Sequence, residues 1–222
     1  MSKVLVTGAG GFIGSHLVEH LTNKGVSVKA FCHYNSTSSI GWMQDTSLDL
    51  HNDVEIILGD IRDRSFIHSH LFDVDCIFNL AALIGIPYSY YAPQSYIDTN
   101  LVGTLNILEC AKMLGCRVIQ TSTSEVYGTA QFVPISEEHP LVAQSPYAAT
   151  KIGADQLALS YHKSFDLPVT ILRPFNTFGP RQSKRAVIPT IIHQIMMNNK
   201  EIFLGDIKTV SYTHLTLPTT YG

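Results

Sequence analysis

Short apolar runs rich in Val and Ile alternate along this chain with longer segments whose apolar positions recur at helical spacing. The short runs predict strands at Lys3–Thr7, Val26–Phe31, Val54–Leu58, Cys76–Leu80, Arg117–Thr121 and Val169–Leu172. The longer segments predict helices at about Gly11–Asn23, Arg62–Leu71, Pro93–Leu114, Pro146–Phe165 and Ile188–Asn198. Strand and helix in strict alternation imply an α/β class: a doubly wound parallel sheet of Rossmann type with crossover helices. Each strand runs out into glycine, polar or turn residues, as expected where the carboxyl edge of such a sheet opens into a ligand crevice. Asn35–Asn52 is polar, carries Trp42, and reads as an excursion near that edge. Glu201–Lys208 reads as a strand and turn.

Composition narrows the function classes. With 222 residues against roughly 150 per domain, the chain holds one generous domain or one and the start of a second. Lys+Arg 15 against Asp+Glu 18 gives −3, in an ordinary mixture of 15% charged and 45% hydrophobic residues. That balance excludes a basic nucleic-acid binder and a disordered acidic tail, and leaves small-molecule chemistry. No apolar run approaches the roughly 18 to 20 residues of a membrane helix, and Lys3 leads straight into a strand without a signal-peptide pattern, so no membrane partner and a cytoplasmic address are expected. Cys32, Cys76, Cys110 and Cys116 form no C-x-x-C pair and read as core thiols. No metal is expected; His68 and His70 stand two apart on a helix and face away from each other.

The last residues depart from this pattern. Val210–Thr219 resembles the translation of a common sequencing adapter, and Thr209 and Thr220 agree with its reading frame. The expected organisation is therefore a dinucleotide-binding domain with catalytic residues over 1–180, the start of a substrate-binding lobe over 181–209, and a non-native tail over 210–222. On this reading most of the C-terminal substrate lobe is missing, and the chain by itself is expected to be inactive.

Chemistry concentrates at the strand ends. Thr7-Gly8-Ala9-Gly10-Gly11-Phe12-Ile13-Gly14 follows the first strand and opens a helix, spacing Gly8, Gly11 and Gly14 as G-x-x-G-x-x-G. Glycine there permits a positive φ and close approach of a pyrophosphate, which the unpaired N–H groups of the helix N-terminus attract. After the second strand, Cys32-His33-Tyr34-Asn35-Ser36 lacks the acid that binds an NAD ribose, while His33, Asn35 and Ser36 can donate to a 2′-phosphate. NAD(P) is thus the expected cofactor, with NADP slightly preferred. Asp60-Ile61 either holds the adenine edge or caps the next helix, and Leu80-Ala81-Ala82 supplies small residues beside a cofactor or plain core. Tyr147 and Lys151 lie one helical turn apart, an arrangement in which a fixed ammonium favours phenolate, and Gln120–Gly128 brings hydroxyls and a carboxylate to the same edge.

Together Gly8/Gly11/Gly14, Thr123-Ser124-Glu125-Val126-Tyr127-Gly128, Tyr147-x-x-x-Lys151 and Arg173-Pro174-Phe175-Asn176-Thr177-Phe178-Gly179-Pro180 resemble the extended short-chain dehydrogenase/reductases that act on nucleotide sugars. Thr-Ser-Glu before Val-Tyr-Gly is similar to the GDP-mannose 4,6-dehydratase arrangement. Tyr34-Asn35-Ser36 with Gly41-Trp42, and Arg181-Gln182-Ser183 through Pro189, resemble more narrowly the N-acetylglucosamine-nucleotide 4,6-dehydratases of legionaminic acid biosynthesis. The related dTDP-glucose dehydratases have Asp-Glu where this chain has Ser124-Glu125, so one of their two carboxylates is absent. The resemblance implies a nucleotide-diphosphate sugar substrate, catalysis by Thr123, Glu125, Tyr147 and Lys151, and substrate contacts from Ser124, Asn176, Arg181 and Arg185, the two arginines reading equally as surface charges. It implies that Asn100 props the active-site helix and that a homodimer forms through Pro93–Leu114 and Pro146–Phe165, whose apolar stripe would otherwise face the sheet. A 4-epimerase of the same scaffold is the competing reading, and a cofactor-binding fragment without catalysis the third.

Overall fold

A computed structural model describes residues 3–49, 52–198 and 201–204. Six parallel strands form one sheet in the order β3-β2-β1-β4-β5-β6, from β1 (Lys3–Thr7), β2 (Ser27–His33), β3 (Val54–Gly59), β4 (Cys76–Asn79), β5 (Arg117–Thr121) and β6 (Val169–Leu172). The order reverses between β1 and β4, which leaves a crevice at their carboxyl ends. In β1, Val4 and Val6 enter one core and Leu5 the other, so the middle of the strand is apolar on both faces because both are covered.

Helices α1 (Phe12–Asn23), α2 (Arg64–His70), α3 (Ile86–Tyr91), α4 (Pro93–Tyr96), α5 (Gly103–Leu114), α6 (Pro146–Phe165) and α7 (Val187–Met196) complete the layers. Leu5, Ile77, Val118, Ile107, Leu108 and Ala158 form the core beneath α5 and α6; Val4, Val6, Val18, Ala30 and Met43 form the other, beneath α1. Burial of such side chains contributes roughly 1.5–3 kcal/mol each before chain entropy is counted. The start of α6 is written in Ser145-Pro146: the serine hydroxyl accepts the N–H of Ala148 at 3.0 Å, and proline opens the first turn. Tyr147 is thereby held in that first turn, beside the strand edge.

Four features differ from the expected elements. β2 runs on to His33, because Cys32 and His33 still pair with Leu58 and Gly59 of β3. The helical run from Pro93 to Leu114 is interrupted by a wide π turn at Ile97–Val102, which turns Asn100 inward. Helix α3 has no counterpart among the expected elements. Residues 201–204 are not strand, and 205–208, like the tail from Val210, lie outside the described residues. The excursion after β2 does lie at the carboxyl edge: its Gly41–Asp45 turn packs on the glycine-rich loop, with the Trp42 N–H donating to the Gly10 carbonyl at 2.9 Å. No helix among the described residues is long and apolar enough to cross a membrane.

Candidate active site

The crevice at the β1/β4 reversal is a cavity of about 410 Å³ lined by Gly8, His33, Asp60, Ile61, Ala81 and Ala82, all expected there. Gly8 has φ +67°, and a Cβ on it would stand 2.9 Å from the Ala81 nitrogen. Gly14 lets α1 sit on the loop, since a Cβ there would lie 2.2 Å from the Gly8 carbonyl oxygen. Gly11 precedes α1 with no side chain capping it, so the first N–H groups of the helix are left without a side-chain acceptor. The glycine cradle, the uncapped helix end and the small residues at Ala81-Ala82 fit a dinucleotide.

Buried polar groups shape this edge. Thr7 Oγ1 accepts the N–H groups of Leu80 and Ala81, each at 3.1 Å, and donates to Asn79 Oδ1 at 2.8 Å. Asn79 Nδ2 donates in turn to Gln120 Oε1 at 2.8 Å, which ties the ends of β1, β4 and β5 together. Asn100 accepts the Leu83 N–H at 2.8 Å and donates to the Leu83 carbonyl at 3.0 Å and to Thr150 Oγ1 at 3.1 Å. It thus joins the crevice wall to α6, as the expected prop. Asp60 does not cap α2: Asp63 does, accepting the Phe66 N–H, while Arg62 grips Asp60 at 2.6 Å and, through its hydrogen bonds, holds that carboxyl below its usual range.

At the end of β5, Thr123, Glu125 and Tyr147 come together. Thr123 Oγ1 accepts the Glu125 N–H at 3.2 Å, and its side chain favours the ionised form of the Tyr147 phenol. Burial pushes Tyr147 up to about 12, Thr123 opposes that, and the charge of Glu125 adds to it. The ring of Tyr96, whose hydroxyl donates to the Gly85 carbonyl, meets Tyr147 edge-on at 6.2 Å. Lys151 is buried and donates to the Thr121 carbonyl at 2.6 Å, and burial brings it down to about 8 against the opposing charge of Asp155. Ser124 donates its N–H to the Pro174 carbonyl at 3.1 Å, placing the stretch with Asn176 beside the site.

Several expectations change. The ammonium of Lys151 does not lower the Tyr147 phenol, because its hydrogen bond goes to Thr121 and desolvation dominates at Tyr147. Asn35 is no donor to a cofactor: both its amide N–H groups are occupied, by the carbonyls of His33 and Ser39, and it organises its own loop. Ser36 beside it is exposed but does not line the cavity, and neither do Leu80, Gly11, Phe12, Ile13, Gly14, Tyr147 and Lys151. Arg181 is no partner for a diphosphate, since it binds Glu19 at 2.8 Å along with Ser15 and the Asp45 carbonyl. Arg185 is exposed and its charge reaches Tyr96. Sequence reasoning missed Leu83, Tyr88, Ser95 and Thr99, which also line the crevice; the Gly85-Ile86-Pro87 opening of α3 was the available signal.

These features define an extended short-chain dehydrogenase/reductase: a Rossmann sheet, a glycine-rich turn at its switch point, and tyrosine and lysine on the helix after β5. Residues 5–215 match the GDP-mannose 4,6 dehydratase family, and the chain belongs to it. It is 37% identical over 196 residues to the low-salt glycan biosynthesis protein Agl12 of Haloferax volcanii, covering 86% of this chain and 62% of that one. A dTDP-glucose 4,6-dehydratase from Streptomyces venezuelae, solved as a double mutant with NAD and DAU bound, superposes with TM-score 0.80 at 32% identity over 88% of this chain and 62% of that one. A UDP-N-acetylglucosamine 4-epimerase from Methanobrevibacter ruminantium gives TM-score 0.82 at 35% identity over 92% and 66%. The chain spans about 62% of the length of the first curated relatives it matches.

Proposed function

We propose that this chain carries the cofactor site and proton-transfer residues of a nucleotide-sugar 4,6-dehydratase, with residues 1–180 as the catalytic unit and those from 181 beginning the sugar-binding lobe. The observation that carries the reading is the convergence of Thr123, Glu125 and Tyr147 at one strand end. Gly8, Gly11, Phe12, Ile13 and Gly14 hold the pyrophosphate, Asp60 and Ile61 the adenine, and Ala81 and Ala82 the path between. A nicotinamide held there would supply a reversible hydride acceptor, needed for oxidation at carbon 4 and for reduction at carbon 6.

Tyr147 takes the proton of the 4-hydroxyl, and Thr123 shares that hydroxyl. A 4-ketone acidifies the hydrogen on carbon 5, which Glu125 removes as general base. Water leaves carbon 6 with a proton from Glu125 or from a group organised by Ser124, and a proton drawn from solvent returns to carbon 5 when carbon 6 is reduced. Asn176 and Arg185 meet the diphosphate. The absence of a carboxylate after β2, with His33 exposed there, supports NADP binding at least as tight as NAD. A second copy packs on the run from Pro93 to Leu114, where Ile97 and Val102 of the π turn and Leu105 of α5 are exposed.

The test is product mass after incubation with NAD(P) and nucleotide-diphosphate hexoses, using the chain alone and the chain joined to the C-terminal part of a relative. Loss of one water with unchanged cofactor supports the reading. A product of unchanged mass with inverted carbon 4 assigns the 4-epimerase instead.

A further inference from the structure

Asp155 is wholly buried, one helical turn beyond Lys151 on the same face of α6. Its Oδ2 accepts the Ser122 hydroxyl at 2.9 Å and the Arg173 Nε–H at 3.0 Å. Oδ1 is buried too and has no hydrogen-bond partner among the described residues. Arg173 continues the chain of contacts: it donates to the Tyr127 hydroxyl at 3.1 Å, and its guanidinium lies 5.2 Å from the Tyr127 ring centre. Ser122 is fastened by its own N–H to the Leu172 carbonyl at 2.7 Å. One carboxylate therefore gathers α6, the end of β5, the turn that bears Glu125, and the end of β6.

A carboxylate taken out of water costs several kcal/mol unless its charge is answered. Had it served only to knot these elements, both oxygens would be expected to find donors. Here one oxygen is left bare. Lys151, one turn earlier on the same face, is itself 4% exposed, donates to the Thr121 carbonyl and makes no ion pair with Asp155 among the described residues, so the two charges meet only across the dry interior of the helix face. We propose that Asp155 is a positioning residue: held by Ser122 and Arg173, it sustains the buried ammonium of Lys151 and fastens the catalytic helix to the strand end bearing Thr123 and Glu125.

Arg173, after β6, is the charged side chain that meets Asp155, and Tyr127 on the turn after β5 meets Arg173 in turn. Tyr147 shares α6 and is itself faced by Glu125 and by Tyr96 of α4. Asp155 is the group whose charge supports Lys151 against burial. Burial raises Asp155 above the ordinary carboxyl range, and Ser122 and Arg173 oppose that. Removing either donor weakens the anion on which Lys151 depends.

The experiment follows the Lys151 side-chain nitrogen by NMR through a pH titration of the cofactor-free chain, assigned with Lys151→Met. Asp155→Asn keeps the shape and removes the charge; the expected result is a fall of about one pH unit in the Lys151 midpoint, a tenfold change in its ionisation constant. Asp155→Glu restores the midpoint, and Ser122→Ala moves it down by less. A folded Asp155→Asn protein with a lower melting temperature but an unmoved midpoint would overturn the proposal. Should that variant not fold, an unmoved midpoint in Ser122→Ala overturns it equally. The importance of Lys151 to turnover rests on the dehydratase reading, but this titration needs neither cofactor nor substrate. A moved midpoint with no dehydratase activity discards the reaction and keeps the role of Asp155.

Discussion

Glu19 on α1 and Arg181, 162 positions later, meet at 2.8 Å, and through them the chain after β6 is clasped to the helix that opens the cofactor crevice. Glu19 also accepts the N–H and hydroxyl of Ser47, at 2.9 and 2.7 Å, so the excursion after β2 joins the same clasp. These contacts, with the Ser47 N–H foremost, lower Glu19 from 4.5 to about 2. A depressed carboxyl pKa stabilises the fold above pH 4.5 and loses that contribution as pH falls toward about 2. Arg181→Ala should cost about 2 kcal/mol at neutral pH, from charge-assisted hydrogen bonds. Denaturant titrations at neutral and acid pH would show the difference shrink on acidification; a constant difference would contradict the assignment.

Two glycines of one motif should fail differently. A Cβ on Gly11 meets only the Gly8 carbonyl at 3.2 Å, whereas one on Gly14 meets it at 2.2 Å. Gly11→Val should therefore leave the melting temperature nearly unchanged and weaken cofactor binding by about tenfold or more, as a branched side chain enters the pyrophosphate's path. Gly14→Ala should instead lower the melting temperature by lifting α1 from the sheet. Calorimetric titration beside thermal denaturation checks both, and equal cofactor affinity in Gly11→Val and parent would remove this loop from the binding site.

Cofactor choice is read in a competition titration. With His33 where other dinucleotide folds place an acid, NADP should bind at least as tightly as NAD, and His33→Asp should turn the preference toward NAD by repelling the 2′-phosphate. A strong preference of the parent for NAD would sink the idea.

Tyr147 should remain unionised well above neutrality while the crevice is empty of cofactor. Its folded value of about 12 lies above the ordinary 10.0, so folding stability falls as pH rises through that interval, because only the unfolded chain releases the proton. The phenolate absorbance lost in Tyr147→Phe should appear only near the upper end. Added NAD should bring it down, since a fixed positive ring favours the anion. An unshifted titration on saturation with NAD would show that the ring does not reach this phenol.

In protein competent for turnover, Glu125→Gln should slow elimination about a hundredfold or more while oxidation at carbon 4 continues, because only the later step requires a carboxylate base. Reduced cofactor should accumulate in a single turnover. Tyr147→Phe should block both steps. Release of the 6-deoxy-4-keto product by Glu125→Gln at the parental rate would take the dehydratase reading away from this residue.

Strand and helix placement was legible in the chain because it is local: Val4-Leu5-Val6 is apolar on both faces, and Ser145-Pro146 before an apolar-periodic run carries its own helix-start signal. The glycine-rich turn and the Tyr147/Lys151 spacing carry their chemistry in the same local way. What the amino-acid order could not state is which partner each polar side chain takes. Arg181 and Arg185 are equivalent in sequence, yet one is clasped by Glu19 and the other is left exposed. Asn35 resembles a donor until its loop closes on both of its N–H groups. Lys151 was expected to act on Tyr147, and the Thr121 carbonyl takes its hydrogen bond instead. Hydrogen bonds and desolvation depend on groups brought together from afar, 18 positions apart for Asp155 and Arg173 and 166 for Ser15 and Arg181. Periodicity and turn chemistry therefore determine the elements, and only their packing decides which charges remain for a ligand.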